Sequence, residues 1–329
     1  MNMPNNEELL KVENLSIDIY SEKLRFSVID NVSFEVQKKE VHAVVGESGC
    51  GKTITSLAIT KLLPKEVFFY NSGKILFKNQ DVLQFTPSKL KDVRGKEISY
   101  IFQDPFTSLN PLKKIKDQII EGYLLHVSKN QKEAIDKAKF LLTKVGLTDL
   151  DSRLNSYPNQ MSGGMLQRIS IAMSLMCDPA LLIADEPTSA IDVTIQAQLI
   201  ELLQNLKVEM GMSILFISHD IGLVASIADK ISIMYAGKLV ETGKTDEVIV
   251  NPSHPYTEAL IQSVPSMRHE LKRLKTIEGI VPSPLNYPKG CRFSTRCEKK
   301  IPICLEKVPE KIKISDTHFV ECFMAGKNA

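Results

Sequence analysis

The run Val41-His42-Ala43-Val44-Val45, passing straight into Gly46-Glu47-Ser48-Gly49-Cys50-Gly51-Lys52-Thr53, leaves this chain few folds to choose from. The apolar segment has the length of a buried strand, and the glycine segment fits G-x-x-x-x-G-K-S/T. Beyond it, Ile54 to Leu63 reads as a helix. Strand, glycine loop and helix in that order predict an α/β domain with a phosphate site at the strand's carboxyl edge. The plainer alternative is a glycine turn between two core elements.

The residue types explain the chemistry expected there. Glycines let backbone N–H groups turn toward phosphate oxygens, and a helix starting near Lys52 adds the positive end of its dipole. Lys52 would reach the β and γ phosphates of a nucleotide, and the Thr53 hydroxyl would coordinate Mg²⁺. Further along, Leu181-Leu182-Ile183-Ala184 reads as a second buried strand ending in Asp185-Glu186-Pro187. At a strand's carboxyl end, Asp185 suits Mg²⁺ held through water, and Glu186 suits the orientation and deprotonation of an attacking water. A third run, Ser213 to Ser218, ends at His219-Asp220; a lone histidine is more often structural, but the repeated pattern of strand, polar tip and helix favours a γ-phosphate contact for His219. Gln103 follows Ile98-Ser99-Tyr100-Ile101-Phe102, and its amide could touch both Mg²⁺ and the attacking water. Met161-Ser162-Gly163-Gly164-Met165 precedes a helical run from Leu166 to Met176. Ser162 is a suitable N-cap, and Gly163 and Gly164 expose N–H groups, so a second anion site is possible there; a capped core helix is the simpler reading.

Together these segments resemble the ATP-binding cassette (ABC) transporter ATPases. The Walker A loop matches at Gly46 to Thr53, the glutamine loop at Gln103 and the signature at Ser162 to Gln167. The Walker B run ends at Asp185 and Glu186, the D-loop matches at Ser189-Ala190-Ile191-Asp192, and the switch histidine is His219. One departure is visible, since the usual signature L-S-G-G-Q has Met161 and Met165 at its ends here. The resemblance implies a P-loop NTPase (RecA-like) core over residues 1–250, with an N-terminal antiparallel β region. A helical subdomain is implied at about 104–165, facing membrane subunits. In this family the signature, here Ser162, Gly163 and Gly164, closes over ATP bound by a second ATPase domain, and Asp192 lies at that interface. An aromatic upstream of the loop often stacks on adenine; Tyr20 is the first choice and Phe26 the second.

Composition sets limits on the function. A net charge of +2 with no dense basic tract gives no electrostatic case for nucleic acid. The first residues, Met1 to Glu8, are polar and carry no secretory pattern, and no apolar run approaches the roughly 20 residues that span a bilayer. Any membrane crossing would belong to another chain.

Local patterning adds detail. Leu10 to Ile19 and Val28 to Val36 alternate like strands, with Lys38-Lys39 at a turn. Gln131 to Val145 places Ala134, Ile135, Ala138, Leu141, Leu142 and Val145 on one helical face. Ile231 to Tyr235 and Lys238 to Glu241 flank Ala236-Gly237 as a hairpin.

Near Asn251 the composition changes, and prolines at 252, 255, 282, 284 and 288 interrupt regular structure. A boundary is expected there, followed by a small Cys-rich domain over 251–329. It contains Cys291-x5-Cys297-x6-Cys304-x17-Cys322, four of the chain's six cysteines. In a reducing compartment such a cluster suggests metal over free structural thiols, and four thiolates suit either zinc or an iron–sulfur cluster; the spacing chooses neither.

His254-Pro255-Tyr256-Thr257, Pro282-Ser283-Pro284-Leu285 and Gly290 through Cys297 resemble the C-terminal extension of oligopeptide and dipeptide importer ATPases. The run from Gln103 to Pro111 resembles the same subfamily, as does the Met165 signature. Some members carry a 4Fe–4S cluster on the tail cysteines, which favours iron–sulfur over zinc at Cys291, Cys297, Cys304 and Cys322. The resemblance implies a peripheral ATPase at the cytoplasmic face of the cell membrane. Its partners would be a second, related ATPase, two transmembrane permeases and an extracytoplasmic binding protein. A nickel or metal-chelate importer of the same subfamily is the nearest alternative. A soluble, non-transport ABC ATPase is the distant one.

Overall fold

The computed structural model describes residues 7–21, 24–188, 193–264 and 277–325. It divides into two compact units, one of residues 1–83 with 216–329 and the other of residues 84–215.

The first unit opens with two long strands, β1 (Glu8–Ser21) and β2 (Leu24–Gln37), followed by β3 (Val41–Val45) and α1 (Lys52–Ile59). Next come β4 (Phe68–Phe77) and the short β5 (Gln80–Asp81). β1, β2, β4 and β5 form an antiparallel sheet in the order β2-β1-β4-β5. It buries Leu10 and Val12, then Leu15 and Ile17, along with Ile29, Val32, Val36 and Ile75; the period of two changes phase at an irregularity between Val12 and Leu15. Lys39 adopts a left-handed φ of 61° at the expected turn into β3.

The second unit contains α2 (Pro87–Val93), β6 (Ile98–Ile101), α3 (Pro105–Ser108), α4 (Ile115–Ile119), α5 (Glu121–His126), α6 (Gln131–Lys144), α7 (Leu150–Asn155), α8 (Gly163–Ser174), β7 (Leu181–Asp185) and α9 (Val193–Met210). β6 and β7 run parallel, with Ile98 opposite Leu181. α6 is the amphipathic helix read from its spacing; Asn130 caps it, and Ala134, Ala138, Leu141, Leu142 and Val145 are buried. β8 (Ser213–Ser218) carries the chain back into the first unit.

There the chain continues through α10 (Ile221–Ile227), β9 (Lys230–Tyr235), β10 (Lys238–Lys244), α11 (Thr245–Val250), α12 (Pro255–Gln262), α13 (Ile303–Glu306), β11 (Ile312–Lys313) and β12 (Phe319–Val320). β3 pairs in parallel with β9, and β9 turns into β10 through Ala236 and Gly237, at φ 46° and 79°. Two successive left-handed residues make a hairpin turn whose twist matches its strands. β3 and β8 are buried along their whole length, the signature of parallel strands covered on both faces.

Two boundaries differ from the sequence reading. The helix after the glycine loop stops at Ile59 and not near Leu63, because Lys61 takes a left-handed φ of 52°. The proline-rich segment after Asn251 still yields a helix, α12, since Pro255 occupies its first turn, where a missing N–H costs nothing.

The tail beyond 250 falls in the same compact unit as the glycine loop. β12 pairs with β10, Glu241 opposite Val320, and β11 pairs with β12. The buried Glu241 carboxylate accepts from the N–H groups of Ser253 and His254 and bonds His318 Nε2, each within 2.9 Å. A buried carboxylate with three partners is satisfied, so Glu241 pins both ends of the tail to β10.

Candidate active site

The glycine loop joins β3 to α1 in the first unit, as its sequence requires. Gly46 has no room for a side chain, because a Cβ there would lie 2.1 Å from the Met234 carbonyl oxygen. Gly51 caps α1 with φ 111°, a conformation that strains any residue with a Cβ. Lys52 is 4% exposed, and its Nζ donates to the carbonyl oxygens of Gly46 at 2.8 Å and Glu47 at 3.1 Å. The ammonium is thereby centred in the ring of the loop, with Thr53 exposed beside it. The first turn of α1 directs its N–H groups and the positive end of its dipole to the same place, which makes an anion site. Cys50 is buried within the loop, and burial pushes its thiol up to about 11, so it remains an inert packing group. The Gly46 N–H donates to the Ser218 carbonyl at 3.4 Å, so the exposed His219 leaves its strand beside the start of the loop. Tyr20, at the end of β1, is 47% exposed.

The second unit brings together another constellation. Asp185 ends β7, is 3% exposed and accepts from the Tyr100 hydroxyl at 3.1 Å. Glu186 follows with φ 47°, a left-handed conformation that costs energy in a residue with a Cβ and recurs at functional sites. Its carboxylate accepts from Gln103 Nε2 at 3.0 Å. Gln103 is thus set on the carboxylate read as the general base. Tyr100, which sequence reasoning assigned no role, lies on β6 only three residues before Gln103 and orients Asp185. Ser162 caps α8, its hydroxyl accepting from the Met165 N–H at 3.4 Å. Gly164 follows with open space around it, whereas Met161 is buried. Ser189 to Asp192, including the D-loop aspartate, lie outside the described residues.

In the tail, Cys291, Cys297, Cys304 and Cys322 line one cavity of about 10 Å³, together with His254, Phe293 and Met324. All four cysteines are free thiols. Burial, then the neighbouring thiols, push Cys291 up to about 11, and burial also raises Cys297 and Cys322. The donor chemistry suits a soft metal. The spacing differs from a ready ligand set: among the described residues no group of three or more His, Cys, Asp or Glu side chains is disposed to hold a metal ion. The cavity has room for about one water, so a cluster would need the thiols to move apart. The metal centre expected at these cysteines is therefore not preformed.

Comparison with known proteins bears on these constellations. Residues 29–189 match the family model of the ABC transporter, and residues 240–304 match the oligopeptide/dipeptide transporter C-terminal region. The chain is 42% identical over 323 residues to the dipeptide transport ATP-binding protein DppD of Bacillus subtilis, covering 98% of this chain and 96% of that one. The chain belongs to the ABC transporter family. It is also 43% identical to the oligopeptide transport ATP-binding protein OppD of the same organism, over 98% of this chain and 90% of that one. Among solved structures, a dimeric ATP-binding cassette bound to ADP and Pi, MJ0796, aligns at a TM-score of 0.65 and 23% identity. The alignment covers 72% of this chain and 99% of that one, and it shows the cassette fold. The family resemblance read from the motifs holds in both the cassette and the subfamily of its tail. This ABC ATPase hydrolyses ATP, and ATP with Mg²⁺ fits the family. No helix among the described residues is long and apolar enough to cross a membrane.

Proposed function

We propose that this ABC ATPase is the peripheral, ATP-hydrolysing subunit of a peptide importer on the cytoplasmic face of the cell membrane. The observation that carries the reading is likeness to dipeptide and oligopeptide transport ATP-binding proteins over nearly the whole chain, tail included. Two transmembrane permeases, an extracytoplasmic binding protein and a second, related ATPase would complete the transporter. The Ser162–Gly164 segment of each ATPase would close on the γ-phosphate held by the other. In the chemical step, Lys52 and the loop amides bind the phosphates; Thr53, Asp185 and Gln103 would hold Mg²⁺, which would offset the charge developing on the phosphate oxygens. Glu186 takes the proton of the attacking water, and His219 contacts the γ-phosphate. Tyr20 stacks on adenine, and Asp192 supports the dimer interface. Residues 1–250 act as the cassette, with 104–165 as the permease-facing subdomain and 251–329 as the extension.

The test is reconstitution of the full transporter in vesicles with its binding protein. Di- or oligopeptides should stimulate ATP turnover and be taken up in an ATP-dependent manner. Stimulation by nickel or a metal chelate and not by peptides would overturn the substrate assignment, and full turnover without permeases would overturn the transport role.

The same proposal seats an iron–sulfur cluster on Cys291, Cys297, Cys304 and Cys322. Support comes from the four thiols gathered on one cavity and from the tail resemblance. Anaerobically purified full-length protein should be brown, with broad absorption near roughly 400 nm, because iron thiolates give charge-transfer bands and d¹⁰ zinc does not. Because metal binding supplies folding free energy, Cys304→Ser should destabilise the tail. Colourless protein with stoichiometric zinc rejects the cluster but keeps the ligands; metal-free protein with a folded tail rejects both.

A further inference from the structure

The phosphate loop is gripped from outside the cassette motifs. Arg296, in the tail, is only 5% exposed, and its guanidinium uses all five of its N–H donors. Nε donates to the Glu278 carbonyl at 2.8 Å and Nη2 to that of Ile277 at 3.1 Å. One further N–H of Nη1 meets the Tyr235 hydroxyl at 3.4 Å. The remaining two form a fork on the Glu47 carboxylate, at 2.6 and 3.0 Å. Such a planar, bidentate pair fixes position as well as charge.

Glu47 is the second residue of the phosphate loop, and the tail also holds its backbone. Its N–H donates to the hydroxyl of Tyr256, a fully buried residue of α12, at 2.9 Å. Tyr256 is in turn locked by edge-on and tilted contacts with Tyr235 at 4.7 Å and Phe293 at 5.3 Å between ring centroids. Glu47 is therefore held by its side chain through Arg296, by its N–H through Tyr256 and by its carbonyl through Lys52.

A carboxylate in an anion-binding loop is an electrostatic liability, since a triphosphate would meet a like charge a few ångströms away. We infer that Arg296 is a positioning residue for nucleotide binding: it neutralises Glu47, turns its carboxylate off the phosphate path and, with Tyr256, holds the loop in its binding shape. The tail thereby enters the nucleotide site without touching nucleotide.

The test is a double-mutant cycle on the full chain, combining nucleotide affinity with turnover in the assembled transporter. Arg296→Met should weaken MgATP binding roughly tenfold and raise KM by a similar factor, with kcat at saturating ATP within about twofold of the parent. Arg296→Lys should recover only part of the loss, as an ammonium cannot form the fork. In a Glu47→Gln background Arg296→Met should change affinity by less than about twofold, because no charge remains to be neutralised. Equal effects of Arg296→Met in both backgrounds, or full rescue by Lys, would overturn the inference. If Arg296→Met does not fold, Tyr256→Phe provides the second measurement. Losing the acceptor for the Glu47 N–H should raise KM with kcat kept, and an unchanged KM in that variant would count against the clamp.

Discussion

Glu186→Gln is expected to lower ATP turnover by about 10² to 10⁴, the range for loss of a positioned general base, while MgATP binding persists. The structure makes this substitution unusually clean. Glutamine is isosteric, and its amide oxygen can still accept from Gln103 Nε2, which now donates to the carboxylate at 3.0 Å. The left-handed backbone at φ 47° is the same for both side chains. What disappears is the capacity to take a proton from water. Nucleotide affinity and phosphate release should be measured separately in the assembled complex; a variant that releases phosphate at the parent rate removes Glu186 from the role of base.

Lys52→Ala should act on binding itself. A buried ammonium bonding the phosphates contributes a charge-assisted interaction, so its loss should weaken MgATP affinity by roughly 10- to 100-fold. Two loop carbonyls, those of Gly46 and Glu47, lose their shared donor at the same time, and the loop's own shape suffers. Equilibrium titration with a fluorescent ATP analogue gives the affinity, and a melting curve without nucleotide separates loop damage from lost phosphate contact. Parent-like affinity in Lys52→Ala would refute the assignment.

The elements of the proposed site were legible because each is local. β3, the glycine loop and α1 follow one another without a gap, and the strand tips at Asp185, Gln103 and His219 each end an apolar run. The Ala236-Gly237 hairpin and the buried face of α6 follow from periods of two and 3.6 that a sequence displays directly. Pairings across long stretches of chain left no such trace. Tyr100 reaches Asp185 over 85 positions and Arg296 reaches Glu47 over 249, and neither partner's neighbourhood signals the other. β12 is two residues long, too short to show a period, so its docking on β10 could not be read. Lys61 takes its left-handed φ without being glycine, and the one stop signal nearby, Pro64, lies five residues beyond Ile59, so the early end of α1 could not be read. The four tail cysteines suggested metal, but their spacing could not reveal that the thiols share a cavity without forming a ligand set.

The short strands at the end of the chain have a consequence for colloidal behaviour. β10 is seven residues long, and without β12 its outer side would present a row of unpaired N–H and C=O groups, a template on which another chain can polymerise. The tail covers that row and hands the exposed border to β11, which is two residues long, solvent-exposed and carries Lys313. A border this brief and charged is a poor template for a further strand, so the extension guards the protein against fibrous self-association.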